Sequence, residues 1–148
     1  MTLFDLGQRF VGHLQEKPGS ADHPYIRFAH SLTTLGESPD SVPWCSSWLN
    51  SLAFLLDLPR SKSAAARSWL SIGKSIDALS DAQIGNDIVI LNRGGSADPS
   101  VSGPGHVGIF AGLQGSTHVL LLAGNQGDKV SIAAFPISSI LGVRRLKS

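Results

Sequence analysis

The sequence predicts an α+β fold, with helices in its first half and a small antiparallel sheet or half-barrel in its second. Two features carry this expectation. The hydrophobic period changes from helical to strand-like near residue 86, and short turns separate most of the later β-rich runs, which makes neighbouring strands antiparallel. The chain has 148 residues, of which 42% are hydrophobic and 16% charged, enough for one domain with a real core. The expected organisation is a single domain over 1–148: a helical extension at 1–23, a helical part at 24–86 and the sheet at 87–148.

Each element has a local reason. Leu3, Leu6, Phe10, Val11 and Leu14 recur at helical spacing, weakened by Gly7 and Gly12. A Gly/Pro/Asp break follows at 17–23. Pro24 suits a first helical position, Tyr25, Phe28, Ala29, Leu32 and Leu35 continue the helix, and Gly36 stops it. After a loop at 37–43, a helix starting at Cys45 carries the stripe Trp48, Leu49, Leu52, Ala53, Leu55 and Leu56 and ends at Pro59. Ser63 caps a short further helix through Leu70, stopped near Gly73. Strand-like runs follow at 87–91, 106–112, 118–125, 129–135 and 141–146. The Gly/Ser/Pro-rich stretch 92–105 is too long for a simple connection and reads as a mobile lid or a substrate-binding loop. There is no internal repeat.

Charge and composition exclude several classes. The net charge is +1 and the pI about 8.0, so no strong field favours nucleic acid. Arg144, Arg145 and Lys147 read as a solvated strand end or tail. The N-terminus lacks a basic region and an unbroken apolar run, which is not a secretory signal, and no stretch approaches a membrane span. The chain is expected to be made in the cytoplasm. Gly103 to Gly108 match G-x-G-x-x-G, but a loop precedes them and β-rich sequence follows, the wrong setting for a dinucleotide. No HExxH or Cys/His ligand spacing is present, so neither a metal nor another cofactor is expected.

Cys45 is the only cysteine. It forms no intrachain disulfide and no cysteine zinc site, which leaves an inert buried thiol or a nucleophile. At a helix N-terminus the dipole favours thiolate, so Cys45 is expected to alkylate faster than a free thiol at pH 6. A base follows from turn chemistry. A two-residue type II′ turn at Gly115 and Ser116 sets Gln114 against Thr117, Phe110 against Leu121 and His106 against Asn125. Opposed side chains share a face about 5 Å apart, so Asn125 is expected to orient the His106 ring, with the thiol in reach of a ring nitrogen. Gln126 points to the other face in this register. His13, His23, His30 and His118 read as surface or cap residues. Trp48 and Trp69 read as core; Trp44, beside the thiol, reads equally as core or as groove wall.

Four motifs in order carry a resemblance: Pro43-Trp44-Cys45 at a helix start, Gly85-Asn86-Asp87-Ile88-Val89, Gly105-His106-Val107-Gly108, and Gly124-Asn125-Gln126-Gly127. Over roughly residues 24–146 the chain resembles the NlpC-type and CHAP (cysteine, histidine-dependent amidohydrolase/peptidase) superfamily, in particular small bacterial and prophage proteins of the Pro-Trp-Cys form. The resemblance implies a papain-like core, with the nucleophile helix packed on the sheet. It implies cleavage of peptidoglycan amide bonds as an endopeptidase or N-acetylmuramoyl-L-alanine amidase. Cys45 would be nucleophile, His106 base and Asn125 third member, with Trp44, Ser46, Gly105 and Gln126 as substrate-binding candidates. Where many members have Asp before the cysteine and Gly two after it, this chain has Trp44 and Ser47. The assisting tyrosine of NlpC-type enzymes has only Tyr25 as a counterpart. The implied partners are peptidoglycan or muropeptide, with an immunity protein or holin-dependent delivery, so that the protein would reach the wall by lysis or secretion. Hydrolysis or acyl transfer on a protein substrate, and an inactive wall-binding module, are the alternatives.

Overall fold

In a computed structural model that describes residues 1–16, 23–36 and 38–148, helices precede a six-stranded antiparallel sheet. The break expected at 17–23 lies, except for His23, outside the described residues, as does Glu37 at the start of the expected loop.

Helix α1 (Leu3–Gln8) is closed by a capping box between Thr2 and Asp5. It stops well short of Leu14. Turns follow it, Gly12 adopts a left-handed φ of 81°, and Gln15 bridges Lys129 instead. Helix α2 (Pro24–Ser31) has His23 as its N-cap and Pro24 at its first position. It also ends before the expected Leu35, because the Thr33 hydroxyl bonds the His30 carbonyl and takes over the chain's local bonding. Helix α3 (Cys45–Leu55) is buried without interruption from Cys45 to Ala53, so its first half is covered on all sides. Leu55, expected in its stripe, is exposed. The next segment, Ala66–Ser71, is a 3-10 helix, and the Ser63 hydroxyl accepts from the Ala65 N–H before it.

The strands are β1 (Lys74–Ser75), β2 (Asp87–Asn92), β3 (Gly105–Gln114), β4 (His118–Ala123), β5 (Ser131–Pro136) and β6 (Ile140–Arg145), in spatial order β1-β6-β2-β3-β4-β5. Alternation along β2 and β3 divides the core. Ile88, Ile90, Val107 and Ile109 share a cluster with Trp48, Leu49 and Leu52 of α3. Val89, Leu91 and Phe110 face the other way, with Val119, Leu121 and Val143, under Ile76, Leu79 and Ile137. Each fully buried Leu or Ile contributes about 1.5–3 kcal/mol, so α3 is held mainly by this first face. The basic C-terminal end is not simply solvated. Arg145 makes a bidentate pair of 2.7 and 2.8 Å with buried Asp87, and Arg144 bonds the Ile72 and Gly73 carbonyls.

The β3–β4 hairpin departs from the expected turn and then returns to the expected register. Gln114 pairs with His118, so the loop holds three residues, not two. A bulge between Phe110 and Gly112 takes up the extra residue, helped by the φ of 122° at Gly112. Beyond it Phe110 pairs with Leu121, as the turn chemistry proposed.

Candidate functional site

Cys45 is the first residue of α3, so its own N–H has no acceptor within the helix. The thiol is 6% exposed. The last residue pair between β3 and β4 is Ile109 with Leu122, and β4 ends at Ala123, so the start of β3 is left without a β4 neighbour. There Cys45 reaches the backbone of Val107 on the face packed against α3, whereas His106 has the strand parity of Phe110 and meets Phe135 on the other face. Burial raises the thiol pKa above its ordinary value, and the amides of Val107 and Ser46 and the Arg93 charge only partly oppose this. Burial of the sulfur thus opposes the thiolate that the helix end was expected to favour.

His106 opposes Leu91 across β2 and β3, and its ring lies 5.3 Å from that of Phe135. Its Nε2 is 2.9 Å from Gln126 Oε1. The Gln126 amide nitrogen donates to the Ser131 carbonyl at 2.7 Å and the Leu121 carbonyl at 3.3 Å. The amide thus presents its oxygen to the ring, and His106 Nε2 must carry the hydrogen. Nδ1 is left as the unprotonated nitrogen; it is buried and has no hydrogen-bond partner. No hydrogen bond joins the ring to Cys45. Burial holds the imidazolium below its ordinary pKa, and Arg93 acts in the same direction, against the Gln126 bond.

The orienting amide is Gln126 where turn chemistry expected Asn125. Beyond Ala123 the chain leaves the strand, and Asn125 adopts a left-handed φ of 59°. That reversal breaks the alternation of faces. Gln126 turns inward and is 8% exposed, while Asn125 is only half-buried. A bond from the Gln126 N–H to the Lys129 carbonyl holds the turn.

Three substrate-binding candidates make close contacts within the fold. Trp44 is fully buried, and its indole N–H donates to Glu16 at 2.8 Å. Its ring lies against Gly124, where a Cβ would come within 2.5 Å of it. Ser46 is also fully buried, donating to the Ser63 carbonyl and accepting from Trp69. Gly105 is half-buried, and a Cβ there would meet the Leu91 carbonyl at 2.8 Å. Tyr25 bonds Ser51 of α3 and not the start of that helix. His30, expected at the surface, is fully buried, with Nδ1 2.7 Å from the Ser47 hydroxyl. Its place beside Ile26 and Ala29 on the buried face of α2 was the available signal.

Arg67 also escaped sequence reasoning. It is buried, and its guanidinium donates to acceptors spread along the 92–105 loop. The loop is pinned at its base and in its middle, which is not the arrangement of a lid. Among the described residues no cluster of three or more His, Cys, Asp or Glu side chains is arranged to hold a metal, and no helix is long and apolar enough to cross a membrane. No known family model and no curated protein matches the chain.

Proposed function

We propose that this protein is a thiol hydrolase cleaving an amide bond of bacterial cell-wall peptide, with a papain-like use of Cys45, His106 and Gln126. The single observation that carries this reading is the asymmetry of His106. One nitrogen is tied by an amide whose own donors are engaged elsewhere, and the other is buried, unprotonated and unpartnered. A general base needs that tautomer. The choice of cell-wall peptide rests on the resemblance of the four motifs.

Because burial favours the neutral thiol and the neutral imidazole, activation occurs at the moment of attack. His106 Nδ1 takes the thiol proton as sulfur adds to the amide carbonyl, and the Cys45 N–H stabilises the oxyanion. The imidazolium then gives that proton to the leaving amine as the C–N bond breaks. Water, deprotonated by Nδ1, releases the acid and restores the thiol. Gln126 keeps Nε2 protonated throughout.

A second reading is favoured by one observation: a buried thiol with a raised pKa and no bond to the imidazole suits a wall-binding module without activity. Zymography on purified peptidoglycan with wild type and Cys45→Ala separates the two. Clearing by wild type alone is expected; equal clearing or none removes the catalytic assignment. Mass spectrometry of the fragments distinguishes amidase from endopeptidase.

A further inference from the structure

Two arginines serve the segment between β2 and β3, and their surroundings differ. Arg67 is buried and bonded to Pro104 O, Val101 O, Ser96 O and Asn92 Oδ1 at 2.8–3.1 Å, with a longer contact to Asp98 O. None of these acceptors is a carboxylate. Arg93 is exposed, and its guanidinium has no side-chain or backbone partner among the described residues. Its backbone, by contrast, is fixed. The Asn92 side chain closes a turn onto Gly95 in both directions, each bond 2.9 Å, and the Arg93 N–H extends the β2–β3 ladder to the Pro104 carbonyl at 3.4 Å.

Register determines where this cation stands. Leu91 opposes His106, and Asn92 opposes Gly105 and turns to Arg67. Arg93, one residue past the end of β2, is set against Pro104 by its N–H bond, which makes His106 its diagonal neighbour across the ladder. A diagonal neighbour lies about 7–8 Å away, within the span of an arginine side chain. The Arg93 charge acts on both Cys45 and His106. An exposed guanidinium on a rigid turn, with all its donors available, matches a planar anion that approaches with the substrate.

We propose that Arg93 binds a substrate carboxylate close to the scissile amide and so selects acidic peptides. The proposal rests on the reading of Cys45 and His106 as the reacting pair. It narrows the substrate class to peptide amides that carry a free carboxylate within an arginine's reach of the bond cut.

The test uses synthetic cell-wall stem peptides with both carboxylates free, with the glutamyl carboxylate amidated, or with the C-terminal carboxylate amidated. For wild type, one amidation is expected to lower kcat/KM at least tenfold, mainly through KM. Arg93→Met should lose that discrimination by losing rate on the acid alone, and Arg93→Lys should keep part of it. Equal rates on all three peptides, or discrimination that survives in Arg93→Met, overturns the proposal. Calorimetric binding to Cys45→Ala, with and without Arg93→Met, separates the two readings. If wild type cleaves nothing, the hydrolase reading fails, while carboxylate-dependent binding lost with Arg93 still supports the subsite. Binding indifferent to amidation or to Arg93 removes the subsite.

Discussion

Replacing Gln126 by Glu tests the assignment of the third residue with little change of shape. In the wild type Gln126 accepts from His106 Nε2 and donates to the Ser131 and Leu121 carbonyls. A carboxylate retains the first bond and loses both donors. Each lost buried bond costs about 1–3 kcal/mol, so a stability loss of roughly 2–6 kcal/mol is expected in urea unfolding. The charge acts oppositely on His106. An anion in contact favours the imidazolium and raises its pKa. In the wild type burial holds that pKa below the ordinary value near 6.5, so Nδ1 is free to accept a proton at pH 7. In Gln126→Glu the acid limb of kcat/KM should therefore move to higher pH, with activity recovering towards alkaline pH. NMR titration of His106 reads the same shift without turnover. A His106 midpoint unchanged in Gln126→Glu but shifted in Asn125→Asp would refute the assignment of Gln126.

Three further expectations follow from burial and bonding. Cys45 should alkylate more slowly than a free thiol at pH 7, because burial raises its pKa; alkylation faster than the free thiol would mean the site is open and polarised in solution. His30 and His106 are both held below their ordinary pKa by burial, so their stability contribution is complete above about pH 6.5 and is lost as pH falls through the native values. Urea midpoints should accordingly drop between pH 7.5 and 5.5, and a flat or rising midpoint contradicts that sign. Arg67→Met should strip the 92–105 loop of its donors, with about 2–4 kcal/mol of lost stability and early proteolytic nicking between residues 93 and 104; unchanged protection there would show that the loop holds itself.

Periodicity and punctuation made much of the architecture legible. The change of period near residue 86 placed the helices before the sheet, and Pro24 marked a real helix start, while α1 and α2 are shorter than their apolar spacing suggested and α2 ends at Ser31, before the stop expected at Gly36. Local chemistry alone also put Cys45 at a helix start and His106 at a strand start. Those properties depend on neighbours a few residues away, and a sequence displays such neighbours directly.

The tertiary structure decided which groups meet. The bulge beside Ala111 restored a register that the three-residue turn had shifted, and the left-handed Asn125 passed the imidazole to Gln126. Arg67 met the loop through acceptors 25 to 37 residues away, with no periodic signal to announce it. The pKa of Cys45 likewise depended on how deeply packing buries the sulfur, since desolvation raises it. Strand period and helix ends are local quantities that the sequence determines by itself. Hydrogen-bond partners and desolvation depend on where separate elements pack and splay, and that is settled only when the whole chain is folded.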